Sequence, residues 1–142
     1  MFTPKIKDFN KVIDWLNTEE GMKIQKLGPR KEGLDNAWFS GFVDADGSFK
    51  VRATLKEGGA KKERFAVGMT IDQRMIGTEG ESYEPIMRLI AKEFNGSLGE
   101  VLKGNGKTYY HLNCHNQESI KLLKNYFSKY PLMTSKYLDY VC

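Results

Sequence analysis

The spacing of apolar residues changes period several times along this chain, and each change marks an element. From Lys5 to Asn17, Ile6, Phe9, Ile13 and Leu16 recur three or four residues apart, which predicts a helix with one apolar stripe. A basic stretch containing Gly and Pro, Gly21 to Gly33, follows and reads as a linker. Helical spacing returns in the segment WFSGFVDAD, Trp38 to Asp46. After Gly47 the period becomes two, with Ser48, Lys50, Arg52, Thr54 and Lys56 on one face and Phe49, Val51, Ala53 and Leu55 on the other. Gly58-Gly59 then predicts a turn, and the return strand sets Arg64, Ala66, Gly68, Thr70 and Asp72 against Phe65, Val67, Met69 and Ile71.

The second half repeats this plan. Ser82 to Phe94 predicts a helix with Pro85 in its first turn and Ile86, Ile90 and Phe94 on its apolar stripe, ended by Asn95-Gly96. Ser97 to Lys103 and Lys107 to Cys114 flank the hairpin signal Gly104-Asn105-Gly106, and Tyr109, His111 and Asn113 alternate with Tyr110, Leu112 and Cys114. Asn116 is placed to cap a helix carrying Ile120, Leu123 and Phe127, Tyr130-Pro131 stops it, and Thr134 or Ser135 can cap a last helix. Beyond the first segment the order is αββαββαα. It predicts an α+β fold with a four-stranded antiparallel sheet carrying helices on one face. The expected organisation is an N-terminal helix and basic linker over 1–33 and a single domain over 34–142.

Composition narrows this picture. A chain of 142 residues with 40% apolar content can bury one sizeable core. It contains no apolar run of about 18 residues and no apolar signal core at its start, so we expect a soluble chain that neither spans a membrane nor is secreted. Cys114 and Cys142 offer no disulfide framework. His111, Cys114 and His115 supply three candidate zinc ligands, but strand alternation turns Cys114 away from the histidines, and zinc is rejected.

The formal charge of +4 and pI near 9.0 are weak pointers to nucleic acid by themselves. Their distribution is stronger, because Lys50, Arg52, Lys56 and Arg64 concentrate with Thr54, Thr70 and Asp72 on one hairpin face. Antiparallel ribbons fit the major groove, where Arg and Lys bond guanine edges and phosphates and Thr reaches bases or phosphates. Lys107, Tyr109 and His111 extend the candidate DNA face into the second hairpin, although a strand Tyr is more often a packing residue. Double-stranded DNA is the expected partner.

The segment Trp38 to Phe49 carries the candidate chemistry. Gly41 and Ala45 lie four apart, so a helix stacks them on one face where a second helix backbone can approach closely, with Trp38 and Phe42 flanking the contact. Gly47 is expected to end the helix in the left-handed conformation. Asp46 would then stand beside free helix-end carbonyls, an unfavourable place for a carboxylate unless a cation binds there. Hard oxygen ligands suit magnesium or calcium. An isolated DxDG is more often an ordinary helix end and turn, so the whole string has to carry the argument.

WFSGFVDADGSF closely resembles the LAGLIDADG motif of homing endonucleases, with Phe39 to Gly47 in its nine positions. Ile71-Asp72-Gln73-Arg74-Met75, Gly80 to Ile86 and Tyr130 to Lys136 resemble the carboxy-terminal repeat of proteins encoded within organellar group I introns. This resemblance implies one LAGLIDADG repeat, αββαββα, with a DNA-binding saddle sheet. It also implies metal-dependent hydrolysis leaving a staggered double-strand break. Magnesium would be the cofactor, and calcium could occupy the site without supporting cleavage. Asp46 matches the metal aspartate, Ala45 the residue lending a backbone carbonyl, Gln73 a polar active-site position and Lys136 a basic one.

The family builds its site from two motif helices, and this chain has one motif. A second repeat is therefore expected, most simply a second copy of the chain joined through Trp38, Gly41, Phe42 and Ala45. The match to a carboxy-terminal repeat and the ending at Tyr140-Val141-Cys142 also fit one half of a longer or split protein. The alternative function is an intron-splicing maturase acting on intron RNA, or an inactive nucleic-acid-binding module. Resemblance further implies a mitochondrion or other organelle as the compartment.

Overall fold

Strands form where the period is two, and helices where it is three to four. A computed structural model describes residues 6–26, 34–54, 64–78 and 80–141. Its elements are α1 (Ile6–Glu19), α2 (Trp38–Asp46), β1 (Gly47–Thr54), β2 (Arg64–Arg74), α3 (Glu84–Glu93), β3 (Ser97–Leu102), β4 (Thr108–Cys114), α4 (Gln117–Lys129) and α5 (Lys136–Val141). Lys5, most of the Gly21 to Gly33 linker, Leu55, Lys56, the Gly58-Gly59 turn and Cys142 lie outside the described residues.

The four strands form one antiparallel sheet in the order β1-β2-β4-β3, so the two hairpins meet through β2 and β4. Pairing sorts the side chains by face. Ser48, Thr70, Asn113 and Ser97 stand in one row across all four strands, and Asp72, His111 and Gly99 form the next. On the opposite face Met69, Ile71, Leu112 and Cys114 are buried beneath the helices. This is the α+β arrangement that alternation predicts, with one face apolar and covered.

The helices supply the other half of the core. Phe39 and Val43 of α2, Ile86, Met87 and Ile90 of α3, and Leu123 and Phe127 of α4 are all buried in one cluster with the sheet. Each such side chain contributes about 1.5–3 kcal/mol by leaving water. Phe39 stacks on Phe94 at 4.6 Å between ring centroids and meets Tyr126 edge-on at 5.4 Å. Asn116 caps α4 by accepting the Ser119 N–H at 2.7 Å, as its type and place predict.

Several expectations need correction. Helix α3 begins at Glu84, not Ser82, because the Ser82 hydroxyl accepts the Glu84 N–H from outside the helix. Val51 and Val67, expected on the covered face, are 63% and 47% exposed; Val67 lines a concavity with Ile120, Leu123 and Lys124 of α4, which leave it partly uncovered. On α1 only Ile13 of the predicted stripe is buried among the described side chains, and Phe9 is 42% exposed. Lys7 meets Glu81 at 3.4 Å, and Asn17 exchanges two hydrogen bonds with the Ile24 backbone. Among the described residues no helix is long and apolar enough to cross a membrane.

Candidate functional site

Helix α2 is divided lengthwise. Phe39, Ser40 and Val43 face the core, whereas Gly41 and Ala45 are exposed and Trp38 and Phe42 are half-buried, stacked on each other at 5.2 Å. Ser40 is a buried polar residue with full satisfaction: its hydroxyl donates to the Tyr130 carbonyl, and its N–H donates to the Tyr126 hydroxyl at 3.3 Å. Tyr126 in turn donates to the Asn36 carbonyl at 2.5 Å. The helix is thus locked against α4 on one side. Its small-residue side is left open, since a Cβ added at Gly41 would meet nothing within 4 Å.

Gly47 ends α2 differently from the expectation. Its φ of −76° and ψ of 156° are extended, not left-handed, and its N–H bonds the Val43 carbonyl. Glycine is needed for space: a Cβ would lie 2.7 Å from both the Val43 Cγ1 and the Val43 carbonyl oxygen. The chain therefore passes straight from the helix into β1.

Asp46, the last residue of α2, is exposed, and among the described residues no hydrogen-bond or ion-pair partner is found for its carboxylate. Lys136 lies at the same helix end. Its ammonium donates to the Asp44 carbonyl at 2.7 Å and the Val43 carbonyl at 3.1 Å, so it neutralises the negative end of the helix dipole. Gln73, near the end of β2, lies close enough to the Tyr83 phenol to influence its pKa, and the same phenol feels the Asp46 charge. Burial raises the Tyr83 pKa, Glu81 and Asp46 add to this, and Arg74 and Gln73 oppose it. Asp46 and Lys136 thus share the end of α2, and Gln73 is linked to that end only through Tyr83; among the described residues no hydrogen bond joins the three to one another.

Two residues in this region escaped sequence reasoning. Asp44 accepts from the Met133 N–H at 2.8 Å, the Thr134 N–H at 3.3 Å and the Thr134 hydroxyl at 2.5 Å. Burial would raise its pKa, but these donors and the Lys136 charge outweigh burial and hold it below the ordinary 3.8. Tyr83 was hidden because it reads as an ordinary residue before a helix; only its burial between Gln73 and the Asp46 field marks it out.

The open sheet face carries most of the other predicted residues. Lys50 and Arg52 are exposed and, with Thr70, His111, Asn113 and His115, line a concavity of about 280 Å³. A second concavity of about 530 Å³ includes Arg74, Lys107 and Tyr109. Tyr109 accepts a hydrogen bond from Asn105 at 3.2 Å. Thr54 and Arg64 are the last pair of the described β1–β2 ladder. Asp72, expected to contact DNA, is engaged within the chain: His111 Nδ1 donates to Oδ1 at 2.5 Å and the Lys103 ammonium to Oδ2. Cys114 is buried on the other face, where burial pushes its thiol up to about 11.

Comparison with known proteins agrees with this geometry. The family model described as LAGLIDADG endonuclease matches residues 39–142, and the chain belongs to that family. It is 30% identical over 139 residues to an uncharacterized cox1 intron-2 37.2 kDa protein of Schizosaccharomyces pombe, covering 97% of this chain and 35% of the relative. A probable intron-encoded DNA endonuclease aI1 of Mycosarcoma maydis is 36% identical over 80 residues, covering 56% of this chain and 66% of the relative. Among solved structures, the homing endonuclease I-TnaI matches with a TM-score of 0.56 at 22% identity, over 73% of this chain and 65% of that one. I-SmaMI bound to cleaved DNA matches with a TM-score of 0.60 at 18% identity, over 92% and 41%. The fold is thus that of LAGLIDADG homing endonucleases, and the chain spans about a third of the length of the Schizosaccharomyces pombe relative.

Proposed function

We propose that this chain supplies one half of a site-specific DNA endonuclease, pairing through α2 with a second LAGLIDADG repeat, most simply a second copy of itself. The carrying observation is α2: exposed small residues Gly41 and Ala45 run along one side and end at an exposed, unpartnered Asp46 among the described residues. An isologous contact along that side would bring two Asp46 carboxylates together. Lys50, Arg52, Thr70, Lys107 and Tyr109 would then meet duplex DNA across the open sheet face.

Asp46 and the Ala45 carbonyl fit a hard divalent cation, because the donors are oxygens at the negative end of a helix that already attracts the Lys136 ammonium. When bound, magnesium would supply an acidified water and neutralise charge on the phosphate oxygens. Lys136 would stabilise developing negative charge, and Gln73, which has no titratable proton, would orient solvent. Staggered double-strand breaks are the expected product, and an organelle such as the mitochondrion the expected setting. Within the chain, 34–142 would carry the site and 1–33 an appended helix and linker.

The test is selection of cleaved sites from a near-palindromic duplex library with magnesium, comparing the native chain with Asp46→Asn. Cleavage by the native chain alone, with both still binding DNA, is expected. Binding without cleavage by the native chain would overturn the nuclease reading in favour of a binding module or a splicing factor for intron RNA.

A further inference from the structure

An aspartate at the centre of a face meant for a polyanion needs a reason. Asp72 stands opposite His111 in the β2–β4 register, on the side of the sheet that also carries Thr70 and Asn113. Neither of its oxygens is idle: Oδ1 accepts Nδ1 of His111 at 2.5 Å, and Oδ2 accepts the ammonium of Lys103, which lies just past β3. The three side chains are each about a third exposed or slightly more, so they sit at the surface and not within the core. Burial acts to raise the Asp72 pKa, but the hydrogen bonds and charges of Lys103 and His111 outweigh it and lower the value, so the carboxylate is ionised near neutrality.

An imidazole whose Nδ1 is bound to a carboxylate has one ring nitrogen left, and rotation of the ring is resisted by the bond already made. The His111 ring also lines the concavity shared with Lys50, Thr70 and Asn113. We propose that Asp72 is a positioning residue that fixes the His111 ring so that Nε2 alone faces the DNA, which makes His111 a specificity-determining residue for one base pair. This rests on the reading of the sheet face as the DNA surface. Holding the ring before DNA arrives removes the ordering cost at binding, so discrimination gains while general attraction to phosphate does not. The Lys103 ammonium offsets the Asp72 charge that would otherwise repel the duplex.

The experiment measures affinity for every single-base variant of a bound duplex, without divalent metal, for the native chain, Asp72→Ala, Asp72→Asn, His111→Ala and the Asp72→Ala/His111→Ala double variant. His111→Ala and Asp72→Ala should lose discrimination at the same base pair, on the order of 5- to 100-fold. The double variant should be no worse than His111→Ala, and Asp72→Asn, which can still accept the Nδ1 proton, should recover part of the loss. A uniform drop in affinity with discrimination intact, or losses at different base pairs, would overturn the proposal. If Asp72→Ala does not fold, Asp72→Asn decides: a partial loss at the His111 base pair supports the positioning role and an unchanged profile rejects it. Native binding without any sequence preference overturns this inference alone, whereas no native binding to duplex DNA overturns the DNA reading beneath it.

Discussion

Lys136 and Asp44 hold each other's helices. The Lys136 ammonium lies 2.7 Å from the Asp44 carbonyl oxygen at the end of α2, while the Asp44 carboxylate accepts from Met133 and Thr134 just ahead of α5. A cation thus faces the negative end of one helix and an anion the positive end of the next, both favourable placements. The pair sits beside Asp46, so the structural clamp and the proposed chemistry share one helix end.

Replacing Lys136 by Met keeps most of the stem and removes the charge, leaving the Asp44 carbonyl without its ammonium donor and the Val43 carbonyl with the Gly47 N–H alone. Stability should fall by about 1–2 kcal/mol, read as a lower urea midpoint at unchanged slope. Cleavage should fall further than that loss explains, while DNA affinity changes little. Equal losses in binding and cleavage would place Lys136 in the clamp alone.

Acid should loosen the same clamp. The folded pKa of Asp44 is held below its ordinary 3.8, so its contribution is present above that value and is lost as pH falls through the lower folded one. Melting temperature followed between about pH 5 and pH 2 should therefore decline less steeply for Asp44→Asn than for the native chain, from a lower starting value. Parallel curves would show that the carboxylate adds nothing.

Gly41 separates folding from assembly. Within the chain a Cβ at this position meets nothing within 4 Å, so Gly41→Ala should stabilise α2 by up to about 1 kcal/mol through helix propensity. If α2 pairs with a second copy, the added methyl should weaken that association. Light scattering across protein concentrations, with thermal melts alongside, should show a more stable chain that dimerises less. A native chain that stays monomeric at every concentration would mean that its partner is a different repeat.

Gly47→Ala should behave in the opposite sense. The new Cβ would collide with the Val43 side chain and carbonyl at 2.7 Å, so the α2–β1 junction would have to shift. A loss of about 1–3 kcal/mol is expected from such overpacking, measured by denaturant unfolding. An unchanged midpoint would mean that the junction yields freely.

Periodicity made most of the fold legible. Alternation at Thr70 and Ile71 or at Asn113 and Leu112 assigns faces correctly because one side of the sheet is covered and the other open. It misjudged Val51 and Val67 because a pattern reports what a strand could bury, not how completely the elements packed on that face cover it. Gly47 was placed correctly as a stop with the wrong backbone, since a crowding constraint from Val43 leaves no mark in a local string. Asp44, Tyr83 and Lys103 act through partners distant in sequence, and spacing alone could not pair Asp44 with Thr134 or Lys103 with Asp72.

The span between Asp44 and Lys136 has a temporal meaning as well. Synthesis runs from the amino end, and these residues are 92 positions apart, so α2 leaves the ribosome long before the lysine that finishes it. Until α5 has been made and docked, a nascent chain carries Asp46 on a helix end without its internal cation. Completion of the helix end at α2 is thereby tied to the synthesis and docking of α5 through Lys136.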